Sequence, residues 1–204
     1  MGQIVPDTER KIYTIGHSNH SLETFLNLLR KFKIQVVVDV RSNPYSRYVP
    51  HFNAGQIKKE ITNDGIKYLY MGRELGGQPA GAEFYDEDGF VLYSRVAESR
   101  PFQEGITRLE KGIEQFRMVV MCSEENPVFC HRRQLISRFL VEHGVKVYHI
   151  RVDGRVQTEE DLSREEEETI NKGQLTLFPV QEVVEWKSIQ SVLPKKQQKN
   201  FSGL

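Results

Sequence analysis

Five residues with chemically active side chains lie within eleven positions of this chain: Cys122, Glu124, Cys130, His131 and Arg132. A thiolate is a nucleophile, histidine transfers protons near neutral pH, and arginine binds phosphate or carboxylate groups bidentately. Cys130 is therefore a candidate nucleophile or acid/base. His131 is a candidate base for it, although adjacent residues on a helix point apart. Alternatively, both cysteines are small buried apolar residues, Cys122 above all.

The spacing of these residues excludes several known sites. No C-x5-R loop, C-x-x-C pair, P-loop or G-x-G-x-x-G motif occurs, so cysteine phosphatase, rhodanese-type, thioredoxin-like and the common nucleotide-binding chemistries lack support. Zinc on Cys122, Cys130, His131 and His17 would need an unusual seven-residue gap between its cysteines. We therefore predict neither a metal nor another cofactor.

The five residues sit on a predicted strand–loop–helix unit: RMVVMC, then SEENPVF, then CHRRQLISRFLVEHG. Four further apolar segments predict strands, and helices are predicted between them; the strands are residues 11–15, 34–40, 66–71 and 145–152, and the helices begin near Ser21, Ala54 and Pro101. This alternation predicts a Rossmann-like α/β fold with a mainly parallel sheet of about five strands. Residues 72–100 are predicted to be largely irregular.

If the strands are parallel, their carboxyl ends gather further polar residues at the same edge: His17, Ser18, Asp39 and Arg41. Ligands of open α/β sheets bind at that edge. Asp39 and His17 would move protons or orient groups, with His17 as plausible a base as His131, and Arg41 and Arg132 would hold an anion. Alternatively, the arginines form structural ion pairs with Asp39 and Glu124.

The segment from Arg41 to Asn53 interleaves cations with aromatic residues such as Tyr45. Aromatic rings stack on bases while cations meet phosphates, which predicts DNA or nucleotide binding. The aromatic side chains could equally anchor a long loop to the body.

The C-terminal residues differ in character. Residues 1–156 are predicted as the α/β domain and residues 157–204 as a charged linker and tail. Within the tail, QLTLF resembles the pentapeptide by which bacterial repair and replication proteins dock on the sliding clamp, with Gln174, Leu175, Leu177 and Phe178 as clamp-binding residues. These apolar residues could instead pack back on the domain.

The chain carries 28 basic and 28 acidic residues, two cysteines and no long apolar run. No secretion signal or membrane span is predicted, and unpaired thiols indicate a cytoplasmic location.

The motifs T-I-G-H-S, D-V-R, L-G-G and C-x-E-x-x-P-x-x-C-H-R follow one another in this order. In this the chain resembles domain-of-unknown-function family 488. The resemblance implies an α/β domain over about residues 11–152 but no activity. It marks five signature positions: Cys122, Glu124, Cys130, His131 and Arg132.

Together these features predict an enzyme that acts on DNA, a nucleotide or a related phosphate-bearing substrate, with a role in DNA repair. Two other classes stay open: a non-catalytic nucleic-acid-associated module recruited to the sliding clamp, and a cysteine-based redox or metal sensor.

Overall fold

The computed structural model describes residues 10–173 and 185–192. Its sheet has six strands: β1 Lys11–Gly16, β2 Val36–Asp39, β3 Lys67–Tyr70, β4 Met118–Cys122, β5 Lys146–Ile150 and β6 Val156–Thr158. The order across the sheet is β3-β2-β4-β1-β5-β6, and every pair is parallel except β5–β6. The predicted α/β class with a mainly parallel sheet is confirmed. The short antiparallel β6 is the strand beyond the five expected.

The described residues form six α-helices beside the sheet: α1 Leu22–Lys31, α2 Ala54–Asn63, α3 Tyr93–Glu98, α4 Arg100–Ile113, α5 Arg138–Glu142 and α6 Glu159–Gly173. Local signals set where two of them begin. The Ser21 side chain accepts a hydrogen bond from the Thr24 amide (3.0 Å), and Pro101 occupies the first turn of α4. The region predicted to be irregular, residues 72–100, contains α3.

The helices cover both faces of the sheet. Along β2, Val36 and Val38 pack on one face and Val37 on the other, so all four residues of this strand are buried. This explains its unbroken apolar sequence. Helices α1 and α2 pack on the Val37 face, whereas α3, α4 and α5 pack on the opposite face.

The chain therefore changes face between two neighbouring strands. The helix after β1 lies on one face, and the helical segment after β4 lies on the other, while β1 and β4 pair directly. Such a switch point opens a crevice beyond the carboxyl ends of the two strands, where α/β folds bind ligands. Here β1 ends at Gly16 and β4 ends at Cys122.

The segment predicted as one helix from Cys130 divides into two parts. Arg132–Ser137 forms a π-helical turn, and α5 follows it at Arg138. The hydroxyl of Ser137 donates to the Arg132 carbonyl (2.8 Å) inside this turn. A π-turn widens the backbone spiral locally and often accompanies functional sites.

The residues after β5 remain attached to the domain. The boundary predicted after residue 156 lies within β6, and Arg133 joins α6 to the body through Glu159 (2.8 Å) and Glu166 (2.9 Å). Residues 185–192, here called the strap, also return to the domain: the Ser188 amide donates to the Val91 carbonyl (2.9 Å). The clamp-like peptide, Gln174 to Phe178, lies outside the described residues.

Candidate functional site

Four side chains converge just beyond the end of β4. The carboxylate atom Oε2 of Glu124 lies 3.0 Å from Cys122 Sγ and 3.1 Å from Cys130 Sγ. Nδ1 of His131 lies 3.6 Å from the first sulfur and 3.9 Å from the second. Both thiols are unpaired and buried. Cys122, Glu124, Cys130 and His131 are here called the thiol cluster.

The loop between the cysteines folds back because Arg132 holds it. This arginine is fully buried, and its guanidinium donates to the carbonyls of Glu124 and Glu125, the second at 2.7 Å. The short 3₁₀ turn Pro127–Phe129 then brings Cys130 beneath Cys122. Arg132 was predicted to bind substrate, but its guanidinium faces backbone oxygens rather than a cavity. It organises the loop.

Close backbone packing fixes the remaining walls of the thiol cluster. A Cβ atom on Gly16 would lie 1.7 Å from the Glu124 carbonyl oxygen, so only glycine lets β1 end against this loop. A Cβ on Gly77 would lie 2.7 Å from the His131 ring. Nε2 of that ring lies 3.2 Å from the Val40 carbonyl, which places a proton on Nε2 and leaves Nδ1 facing the two sulfurs.

The two thiols differ in acidity. The hydrogen bond with Cys130 and burial raise the pKa of Cys122 well above its usual value. Burial alone would raise the pKa of Cys130, but the hydrogen bond from Cys122 and the charges of Arg132 and His131 lower it well below that value. Burial also raises the pKa of Glu124.

A second polar network, formed by Asp39, Arg41 and His17, lies beside the thiol cluster. Arg41 binds Asp39 through two nitrogens (2.9 and 2.6 Å), and both side chains are buried. Nη1 of Arg41 lies 3.0 Å from His17 Nε2 and donates to the Phe52 carbonyl at 2.8 Å. The Tyr68 hydroxyl donates to Asp39 (2.6 Å). The ion pair predicted as the structural alternative for Arg41 is thus present.

His17 serves this network rather than the thiols. Its Nδ1 lies 2.8 Å from the Ser18 carbonyl and its ring stacks on Phe52 with 4.2 Å between centroids. Burial, the largest cause, lowers the pKa of His17 to about 4. The imidazole is consequently neutral at pH 7, with Nε2 accepting from Arg41.

A cavity of about 210 Å³ opens onto the thiol cluster. Its lining residues come from the edge of the sheet, from loop 77–93 and from the strap; they are Arg41, Ser42, Asn43, Gly77, Gln78, Tyr93, Cys122, Ser123, Glu124, Phe129, His131, Gln134, Ser188, Ile189, Gln190 and Val192. Cys122 is among them and Cys130 is not. The sequence pattern favoured Cys130 as the candidate nucleophile, whereas in the structure Cys122 lines the cavity.

Two other predicted residues, Ser18 and Tyr45, do not line this cavity. Ser18 follows His17 with a positive φ of 42°, and its amide donates to the Ser123 carbonyl (2.8 Å), which joins the β1 loop to the β4 loop. Tyr45 is 66% exposed on the loop that leaves Arg41.

The strap is the part of the site that sequence reasoning missed. Nε1 of Trp186 donates to the Gln134 carbonyl (2.7 Å), and Lys187 pairs with Asp86 at 3.0 Å. These contacts seat Ser188 to Val192 against the cavity. One signal was available: Trp186 is the only tryptophan of the chain.

Among the described residues, no helix is both long and apolar enough to cross a bilayer. No curated protein and no solved structure matches the chain. A family model described as "Domain of unknown function DUF488" matches residues 21–139, which is more than half of the sequence and includes every member of the thiol cluster. The chain therefore belongs to the DUF488 family.

Proposed function

We propose that this protein is an enzyme acting on DNA, a nucleotide or a related phosphate-bearing substrate, with a role in DNA repair. One observation carries the proposal: two buried thiols, a half-buried imidazole and a carboxylate meet beside a polar cavity at the switch point of the sheet. Burying such groups costs free energy that an apolar core would avoid. Groups placed this way are typical of sites that perform chemistry.

The position of each residue relative to the cavity suggests which residues contact the substrate and which support them. Cys122, Glu124 and His131 line the cavity and can touch a substrate, whereas Cys130 lies behind them. Nδ1 of His131 is within reach of both sulfurs and can hold a proton released from either. Asp39, Arg41 and His17 act as positioning residues, because their hydrogen bonds saturate one another.

The surroundings of the cavity favour a nucleic acid or nucleotide. A volume of about 210 Å³ is below the range of about 300–1,000 Å³ for sites that enclose whole ligands, so it suits one base or one phosphate group. The rim continues from Asn43 into a loop on which Tyr45 and Tyr48 are 66% and 91% exposed, with the exposed Arg47 between them. Aromatic faces and a cation in alternation suit adjoining bases and phosphates.

A second candidate function comes from the tail. QLTLF, with anchors Leu177 and Phe178, resembles a clamp-docking peptide. A non-catalytic module recruited to the sliding clamp would need this peptide and not the thiols. We place the protein in the cytoplasm as part of the same proposal, because free thiols persist in reducing compartments.

Survival after DNA damage, in cells that depend on this chain, separates the two functions. If the protein is an enzyme, Cys122→Ser and His131→Gln should each abolish survival. Ser163→Ala, on the exposed face of α6, should survive at the wild-type level. If the protein is a non-catalytic module, Cys122→Ser should survive at the wild-type level, and truncation before Gln174 should abolish survival. Immunoblotting confirms equal protein levels, and wild-type survival with both site variants would refute the enzyme.

Substrate binding has its own test. Fluorescence anisotropy with a labelled single-stranded oligonucleotide compares the wild type with the Tyr45→Ala/Tyr48→Ala double variant. Two lost stacking contacts of about 1–3 kcal/mol each predict at least a tenfold weaker affinity. Val141→Ala, which trims another exposed apolar side chain, is the control and should bind as wild type. Equal affinity of the double variant would remove the nucleic-acid assignment.

A further inference from the structure

We infer that the thiol cluster binds a thiophilic divalent cation, with Zn²⁺ the best match to its donor set. The inference deepens the proposed function, because it names a cofactor for the same cavity. Sγ of Cys122, Sγ of Cys130 and Nδ1 of His131 all lie within 4.8 Å of one another, and Glu124 Oε2 adjoins both sulfurs. Two thiolates, one imidazole and one carboxylate are ligands that zinc accepts.

The donor separations are close to those around a bound zinc ion. Zinc bonds of about 2.0–2.3 Å place neighbouring donor atoms about 3.3–3.8 Å apart. Four of the separations in the thiol cluster are 3.0, 3.1, 3.6 and 3.9 Å. The three donors that all lie within 4.8 Å of one another are the two sulfurs and Nδ1 of His131.

The surroundings supply the contacts that metal ligands need. A ligating histidine usually donates its other ring N–H to a carbonyl or carboxylate, and Nε2 of His131 faces the Val40 carbonyl at 3.2 Å. The Arg132 amide lies 3.5 Å from Cys130 Sγ, as a donor to a ligating thiolate would. Gly77 leaves room for the imidazole on its far side.

Charge balance supports the same occupant. Two buried thiolates would bring two negative charges into the protein interior, and buried charges require compensation. A divalent cation held by the two sulfurs supplies two positive charges.

The spacing of the two cysteines in the sequence did not indicate this metal site. Seven residues separate the cysteines, which is longer than the usual zinc-ligand gap. The loop shortens that separation in space, because Arg132 draws the carbonyls of Glu124 and Glu125 inward. Because Cys122 and His131 line the cavity, an ion held by the two sulfurs and Nδ1 of His131 would keep a coordination position toward the substrate, where it would supply Lewis acidity.

The test is metal binding by the full chain, purified under reducing conditions without chelator. Elemental analysis should find one zinc ion per chain, and Co²⁺ exchanged into the site should show the thiolate charge-transfer and tetrahedral d–d absorption bands. Competition with a chromophoric chelator gives the affinity for Zn²⁺. Variants Cys122→Ser, Cys130→Ser and His131→Gln should each bind at least 100-fold more weakly, and Glu124→Gln at least tenfold. Tyr93→Phe lines the cavity without a donor to the cluster and should bind as wild type.

Two outcomes overturn the inference: a wild-type chain that binds no zinc in competition with the chelator, or ligand variants that bind it as tightly as Tyr93→Phe. Circular dichroism identifies any variant that fails to fold, and the Co²⁺ spectrum of the wild type then decides alone. The two proposals fail separately. Zinc bound by a protein whose oligonucleotide affinity and survival phenotype do not depend on the site would remove the proposed function and leave the metal site.

Discussion

Acidification should destabilise the protein through His17, because the folded chain keeps this imidazole neutral. The residue is 3% exposed. Burial is the main reason that its pKa falls from 6.5 to about 4; the Ser18 carbonyl and Asp39 oppose the shift, and Arg41 and His20 add to it. In the unfolded chain the same imidazole titrates near its ordinary pKa of about 6.5.

The size of the effect follows from proton linkage. Between the two pKa values the unfolded state binds more protons than the folded state, so stability rises with pH. The contribution of neutral His17 is fully present above pH 6.5 and is lost as the pH falls toward 4. From pH 7 to pH 5 the pKa difference corresponds to a loss of about 2 kcal/mol.

Urea unfolding at pH 7 and pH 5 measures this loss in the wild type and in His17→Gln. Glutamine can still accept a hydrogen bond from Arg41 but does not titrate. Every other titrating group is common to both proteins, so the wild type should lose about 2 kcal/mol more on acidification than the variant. Equal losses in the two proteins would refute the view that His17 is held neutral.

Three further variants test how the site is built. Arg132→Met leaves two buried carbonyls without their charged donor, at about 1.5–3 kcal/mol each, so urea unfolding should show a loss of roughly 3 kcal/mol or more; a loss below 1 kcal/mol would contradict its role in the loop. Gly77→Ala pushes on the His131 ring and should weaken zinc binding about 10–100-fold while the ligands stay intact; unchanged affinity in chelator competition would show that the ring tolerates the displacement. Trp186→Ala removes the hydrogen bond to Gln134 and should speed hydrogen exchange in the strap; wild-type exchange would mean that other contacts hold it.

The fold was largely readable from the sequence because its signals are local. Apolar strands such as Val36–Asp39 are buried on both faces, and a cap such as Ser21 begins a helix through contacts three residues away. Three features were not predicted: α3 in the segment expected to be irregular, β6 and the π-turn. β6 has three residues, too few for a periodic pattern, and the π-turn Arg132–Ser137 shares its apolar spacing with an ordinary helix.

The candidate site was readable in outline only. Parallel strands bring their carboxyl ends together, so the convergence of residues after β1, β2 and β4 could be predicted. The roles within the site could not, because they depend on how a loop folds back. Burial of Arg132 turns an expected ligand-binding residue into the support of that loop, and the same fold places Cys122 in front of Cys130. The strap contacts the cavity although it lies about 55 positions after Gln134 in the sequence. No pattern of neighbouring residues indicates such a long-range contact.

The central claim is that Cys122 performs chemistry on a nucleic acid or nucleotide. Its most direct test incubates the protein, purified under reducing conditions without chelator and without added metal, with labelled single-stranded and duplex oligonucleotides and with free nucleotides, and follows products by mass spectrometry. We expect the wild type and Ser163→Ala to convert one of these substrate classes, and Cys122→Ser to do so at least 100-fold more slowly. Conversion by Cys122→Ser at the wild-type rate, or no conversion of any class by the wild type, would contradict the claim.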